Sequence, residues 1–159
     1  MVISETVKLS NGLNILYEHH PNTVVTHVAL MVKAGTRDED QGAEGLAHFI
    51  EHSLFKGTKN RKSYHILNRL EVIGGELNAY TTKEETCLHA SVMNEYLERA
   101  MELISDILYN SIFPEKEIEK EKEVILDEIH AYQDTPYEQI FDDFEGQVYA
   151  GHTLGHPIL

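Results

Sequence analysis

Hydrophobic positions along the chain recur with two different periods, and the period changes from segment to segment. Where apolar and β-branched residues fall at every second position, the pattern is typical of strands. The Asn11-Gly12 pair is a turn signal between the first two such segments and predicts a hairpin. An apolar run over 26–32 predicts a central strand. The predicted strands are 6–9, 12–18, 23–33, 77–81 and 86–93.

Between these segments, apolar residues recur every three or four positions, which predicts amphipathic helices. Ser63 is predicted to be the N-cap of one helix, and Asn94 or its neighbour that of another. Because strands and helices come in runs rather than in strict alternation, the pattern predicts an α+β fold with a mostly antiparallel sheet packed against helices. The predicted helices occupy about 45–55, 63–73, 94–108, 114–132 and 136–149.

Length and composition narrow the class of protein. The 159 residues fit one domain or a large part of a bigger protein, and 42% hydrophobic residues suffice for a core. The formal charge of −14 disfavours nucleic acid as a partner, since phosphate contacts need Lys and Arg. The single cysteine, Cys87, excludes an internal disulfide framework and is expected to be a core thiol. Without a signal-peptide pattern or a membrane-length apolar run, we expect a cytoplasmic protein.

The candidate chemistry lies in the pentapeptide His48-Phe49-Ile50-Glu51-His52. On a helix, His48 and His52 lie one turn apart on the same face, and two neutral imidazoles so placed can hold Zn²⁺. Glu51 beside them, if it is not a ligand, can take a proton from a metal-bound water. The motif alone is not decisive, because a shuffled chain of this composition contains it about 8% of the time. The alternative is a surface helix that carries two solvated histidines.

The residues around this motif favour a site over a solvated surface. They are apolar on nearly every side, which predicts a buried helix. Burying two imidazoles and a carboxylate without partners costs several kcal/mol, and a metal ion would remove that cost. The apolar neighbours are Leu46, Ala47, Phe49, Ile50, Leu54 and Phe55.

A catalytic zinc site needs a third protein ligand if one position is to stay open for water. The acidic helix predicted at 114–132 offers candidates, because Glu121 and Glu128 lie seven residues apart on a stripe with apolar flanks. One of them as a ligand and the other as a supporting residue would explain this placement. The alternative is an acidic helix whose carboxylates are all solvated.

Four segments together resemble a known family of zinc peptidases. The H-x-x-E-H pentapeptide is the signature of the inverted-motif zinc peptidases, the inverzincins. The chain is most similar to the family that contains pitrilysin, insulin-degrading enzyme and the subunits of the mitochondrial processing peptidase. The resemblance covers nearly the whole chain and is strongest at 45–58, 74–86, 121–129 and 156–159.

This resemblance implies a role for each candidate residue. His48, His52 and Glu128 match the zinc ligands, and Glu51 matches the general base. Glu121 matches a supporting glutamate of the catalytic site. A segment of the predicted strand 77–81 matches the family's edge strand, which pairs with an extended substrate peptide. The matching substrate-binding positions are Asn78, Ala79 and Tyr80.

The resemblance also implies that these residues form only part of a complete peptidase. Family members are usually built from at least two related α+β halves, so residues 1–159 are expected to form one truncated N-terminal catalytic domain. The missing half or a second copy is an expected partner, and the substrate is expected to be a peptide or an unfolded protein. A non-catalytic peptide-binding or regulatory relative is the alternative, and a non-proteolytic zinc hydrolase is another. Retention of the complete set of site residues favours the zinc metalloendopeptidase.

Overall fold

A computed structural model describes residues 3–159. It confirms the predicted α+β fold, with antiparallel sheets and helices in runs. The strands are β1 (Ile3–Lys8), β2 (Asn14–His19), β3 (Val25–Val32), β4 (Glu76–Thr81) and β5 (Thr86–Met93). The helices are α1 (Leu46–Ser53), α2 (Ser63–Glu71), α3 (Leu97–Asn110), α4 (Glu115–Gln133) and α5 (Pro136–Val148). Within residues 3–159, no helix is long and apolar enough to cross a membrane.

The N-terminal hairpin forms a sheet of its own. β1 and β2 pair antiparallel, but their register closes at Lys8 and Asn14, so the connection is longer than the two-residue turn predicted at Asn11-Gly12. Gly12 has a φ of +92°, and the Leu13 N–H donates to the side chain of Asn11. The turn chemistry was therefore correctly placed, although the loop around it is wider.

β3 is an edge strand of the three-stranded sheet, so the prediction of a central strand at 26–32 was wrong. The order is β3-β5-β4, and β5 is the central strand of the three. Every second residue of β3 is exposed, and so is Val32, whereas every residue of β5 except Met93 is buried or half-buried. The apolar run in β3 reflects apolar residues on both faces, including the exposed Met31, and not burial of both faces.

One face of this sheet carries the hydrophobic core. Alternate residues of β5 point toward α2 and α3, as the period of a strand requires. Cys87 is buried, in agreement with its prediction as a core thiol. The core residues are Ile66, Leu70, Leu88, Ala90, Val92, Ala100, Leu103, Ile104 and Ile107.

Two predicted helix caps were wrong. α2 begins at Ser63 itself, Lys62 is its N-cap, and that cap forms no side-chain hydrogen bond. Asn94 opens a short 3₁₀ turn before α3, and its side chain instead accepts from the hydroxyl of Thr26. It also donates to the carbonyl of Thr23, so it ties β3 to the start of the helical layer.

The loop that follows α1 is fixed by a buried carboxylate on α3. Asp106 accepts hydrogen bonds from Thr58 (2.8 Å), Asn60 (2.6 Å), Arg61 (2.5 Å) and Asn110 (3.0 Å). Burial acts to raise the pKa of Asp106, but these hydrogen bonds outweigh it and lower the pKa to about 2. A carboxylate that stays ionised therefore holds the segment that leads out of the motif helix.

The motif helix α1 lies between β4 and α4 and contacts both. It is less buried than predicted. His48 and Ser53 are buried, but Leu46 is 49% exposed and Ile50 is 40% exposed. The helix therefore has one packed face and one open face, and the apolar residues around the motif do not by themselves report burial.

Candidate metal centre

Helices α1 and α4 bring three metal-ligating side chains to one point. His48 and His52 lie one turn apart on α1, with ring centroids 4.5 Å apart. The Oε2 of Glu128 on α4 lies 3.9 Å from the Nε2 of His48 and 3.4 Å from the Nε2 of His52. One ligand atom from each of these residues lies within 4.8 Å of the other two. The predicted helical spacing therefore places the two imidazoles together, and the packing of α4 against α1 brings the carboxylate to them.

His48 lies in an environment that disfavours the imidazolium ion. Burial lowers its pKa below the ordinary value for histidine, and the neighbouring His52 lowers it further. The charges of Glu128 and Glu51 oppose this shift without reversing it. A neutral imidazole is the form that ligates a metal ion, so the electrostatics of His48 suit a ligand.

Glu121 supports His52 from the side opposite Glu128. Its side chain is only 6% exposed, and its Oε1 lies 3.0 Å from the Nδ1 of His52. The other oxygen forms an ion pair with the Nζ of Lys56 at 2.5 Å. Burial acts to raise the pKa of Glu121, but the hydrogen bonds of Lys56 and His52 outweigh it and lower the pKa. An ionised carboxylate only accepts, so Nδ1 donates and the lone pair of Nε2 faces the centre.

The donor set fits zinc. Two imidazole nitrogens and one carboxylate oxygen are the ligands of many catalytic zinc sites, which keep a further position for water or substrate. A carboxylate that orients a ligating histidine through its other nitrogen is a common feature of such sites. Glu128 has a side chain that is 44% exposed, so solvent reaches the centre from that side. The roles of these residues remain predictions.

Glu51 lies on the same helix, between the two histidines in sequence. Its side chain is half-buried, and its carboxylate forms no hydrogen bond or ion pair within residues 3–159. Its charge acts on the pKa of His48, so the carboxylate lies near the centre. This arrangement leaves its oxygens free to bind water, as the prediction for a general base requires.

The three predicted substrate-binding residues lie on β4, which is an edge strand among the described residues. β4 pairs only with β5 there, and its other side carries free backbone groups. The N–H of Ala79 donates to the side-chain oxygen of Asn78 at 2.9 Å instead of to a neighbouring strand. Asn78 and Tyr80 are exposed, and Ala79 is half-buried. The edge is therefore available to an extended peptide.

The sequence patterns assigned no role to two residues that contact the surroundings of this centre, one at Glu121 and one at the start of α1. Lys56 binds Glu121 from just beyond the end of α1, and Glu39 in the loop before α1 accepts from the N–H groups of Gly45 and Ala47. Lys56 lies beyond the end of α1 and contacts a residue 65 positions away, so helical spacing gave no signal for it. Glu39 gave none, because a glutamate six residues before the cap fits no capping motif.

The model for the insulinase family, peptidase family M16, matches residues 14–159. An uncharacterized zinc protease of Rickettsia bellii is 43% identical over 152 residues, which are 96% of this chain and 37% of the relative. The beta subunit of the mitochondrial-processing peptidase of Saccharomyces cerevisiae is 40% identical over 156 residues, or 98% of this chain and 34% of that subunit. The chain therefore spans about a third of the length of the curated relatives that it matches.

Solved structures agree with this match. The crystal structure of a protease from Helicobacter pylori superposes with a TM-score of 0.90 at 28% identity, covering 98% of this chain and 38% of that one. An inactive domain of a peptidase M16 from Pseudomonas fluorescens superposes with a TM-score of 0.86, but at 17% identity it shows the fold alone. On these findings the chain belongs to the insulinase family of peptidases, peptidase family M16.

Proposed function

We propose that the chain is the zinc-binding half of a metalloendopeptidase that hydrolyses unfolded or extended peptides. The observation that carries this proposal is the convergence of His48, His52 and Glu128 within 4.8 Å, with Glu51 beside them. The names of the zinc protease and processing-peptidase relatives support it. A non-catalytic relative would have no need to keep three ligands and a free carboxylate together.

Different residues of the chain would bind the metal, orient a ligand and transfer the proton. Zinc, when bound, polarises a carbonyl and lowers the pKa of water. His48, His52 and Glu128 would hold it, and Glu121 would keep the His52 ring turned so that Nε2 faces the ion. Glu51 would accept the proton of the attacking water and pass it to the leaving amine.

The edge of β4 would bind the substrate. An extended peptide can add a strand there, and its main-chain groups would replace the local bond between Ala79 and Asn78. Main-chain pairing suits many sequences, whereas the side chains of Asn78 and Tyr80 would select among them. The net charge of −14 would attract basic peptides at long range.

The first test is metal content together with hydrolysis. The purified chain should bind about one zinc ion, and a polypeptide that carries these residues with a second half-domain should cleave an unfolded peptide. A chelator should stop cleavage, and added zinc should restore it. Cleavage that persists through chelation would contradict the proposal. Peptide binding without metal would favour the non-catalytic alternative.

The isolated 159-residue chain should hydrolyse peptides poorly and should associate. Both β3 and β4 present an unpaired edge within residues 3–159, and such edges template pairing with another chain. Light scattering should detect a dimer or a larger assembly, and a peptide assay should show little turnover. A strictly monomeric chain that cleaves as fast as one carrying a second half-domain would show that this segment is sufficient.

Replacing Glu121 by glutamine should weaken zinc affinity by about 10–100-fold, the usual effect of removing a residue that orients a ligand. The amide can still accept from His52, but it no longer pairs with the Lys56 cation. Competition with a chelator would measure the affinity. Glu123→Gln, an exposed position on the same helix, is the matched control and should bind zinc normally. Equal zinc affinities for both variants would show that Glu121 does not support the metal centre.

A further inference from the structure

The N-terminus of α1 has an unusual cap. Gly45 is the N-cap residue, and its φ of +84° lies in the left-handed region, which favours glycine. Most N-caps have extended backbone and carry a serine, threonine or aspartate whose oxygen accepts from the first turn. Gly45 has no side chain to do so, and the first turn of α1 contains no acidic residue. The free N–H groups therefore need another acceptor.

Glu39 supplies that acceptor from the preceding loop. Its Oε2 accepts from the N–H of Gly45 at 2.9 Å, and its Oε1 accepts from the N–H of Ala47 at 2.7 Å. The intervening N–H of Leu46 binds the carbonyl of Ala43. One half-buried carboxylate thus bridges two donors at the positive end of the helix, where a negative charge is favourable.

This bridge lies directly beside a candidate metal ligand. His48 is the residue after Ala47, and α1 has only 8 residues, too few to be stable without its ends and packing. A shift of the first turn moves the His48 ring relative to Glu128, whose Oε2 lies 3.9 Å away. Ligand sites lose affinity when supporting contacts are removed, even when every ligand remains.

We infer that Glu39 is a positioning residue of the metal centre, which holds His48 in place by capping α1. This inference rests on the proposed function. Glu39 touches neither substrate nor metal ligand atoms, so its effect passes through the backbone of α1. Glu39 and α1 therefore act as one unit in binding the ion.

Three variants of the full chain test this role. Glu39→Ala removes both acceptors, whereas Glu39→Gln keeps one oxygen and loses the charge. Glu44→Gln is the matched control, since Glu44 lies in the same loop, is exposed, and accepts from the N–H of Gly42 in that loop. Zinc affinity by chelator competition and amide hydrogen exchange of the zinc-free chain are the readouts. The visible spectrum of the Co²⁺-loaded chain reports the geometry of the ligands.

Glu39→Ala should weaken zinc affinity about 10–100-fold, and Glu39→Gln should fall between it and the wild type. The amide of Ala47 should exchange at least about tenfold faster in both variants, with the change confined to α1. The Co²⁺ bands should shift in both and stay unchanged in Glu44→Gln. If Glu39→Ala does not fold, Glu39→Gln, which is nearly isosteric, decides the matter by the same three measurements.

Two outcomes would overturn the inference. Wild-type zinc affinity and exchange in Glu39→Gln and Glu39→Ala would show that the cap does not position His48. Faster exchange spread evenly over all helices would show a general loss of stability in place of positioning. If the wild type itself binds no zinc, the proposed function fails, while exchange at Ala47 still shows whether Glu39 holds the first turn.

Discussion

Replacing Glu51 by glutamine is expected to abolish peptide hydrolysis while zinc stays bound. The amide has nearly the same shape as the carboxylate but cannot accept a proton from water. Loss of a general base lowers the rate by about 10²–10⁴-fold. Glu51 forms no ion pair or hydrogen bond within residues 3–159 that the substitution would break, so the fold should tolerate it. The measurement is turnover of an unfolded peptide by a polypeptide that carries a second half-domain, alongside its zinc content.

A matched control separates loss of the base from loss of a surface charge. Glu71→Gln changes an exposed glutamate at the end of α2, away from the metal centre, and should leave both turnover and zinc content unchanged. Near-normal turnover by Glu51→Gln would exclude Glu51 as the base. Loss of zinc together with turnover would instead indicate that Glu51 helps to bind the metal.

The sequence predicts most of this fold because its elements follow local rules. Helix α4 begins at Glu115, one residue after the predicted start, because Pro114 is its N-cap and not a residue of its first turn. Helix α5 begins at Pro136 as predicted, with the proline in the first turn. The β4–β5 hairpin matches the predicted 77–81 and 86–93 within a residue. Within each of these elements, the spacing of apolar residues is fixed by the geometry of the backbone.

The errors in predicted burial share one cause. The spacing of apolar residues shows which face of an element is apolar, but it does not show whether another element covers that face. The strand at 26–32 is as apolar as a central strand, yet it lies at an edge. The apolar Leu46 and Ile50 suggested a buried helix, yet both are exposed. Strand order and the covering of faces depend on contacts between segments distant in sequence, which local patterns cannot report.

Some contacts of the candidate site follow from local sequence patterns, and others do not. The pairing of His48 with His52 follows from helical spacing alone. The choice between Glu121 and Glu128 does not follow from spacing, because both lie on one stripe of α4. The family resemblance made that choice, and the packing of α1 against α4 gives the two side chains different partners. Glu121 meets the Nδ1 of His52, whereas Glu128 meets both Nε2 atoms. A contact such as that of Glu39 with the start of α1 depends on the path of a loop, which no motif encodes.

Glu128→Gln is expected to reduce zinc affinity by at least about 100-fold, more than the loss of a supporting residue does. A neutral amide oxygen is a much weaker ligand than a carboxylate, and zinc would lose the only negative charge among its three protein ligands. Glu128 is 44% exposed and packs little, so the free energy of unfolding of the zinc-free chain should change by less than about 0.5 kcal/mol. Chelator competition and denaturant unfolding would measure the two quantities.

The comparison that decides this role is among three glutamates of the same helix. Glu123→Gln should bind zinc normally, Glu121→Gln should lose about 10–100-fold, and Glu128→Gln should lose more than either. This order follows from their distances, because only Glu128 has an oxygen within 4 Å of both Nε2 atoms. Equal losses for Glu121 and Glu128 would contradict a division between a supporting residue and a ligand. Normal zinc affinity in Glu128→Gln would show that Glu128 is not a zinc ligand. Another residue would then have to be the third ligand beside His48 and His52.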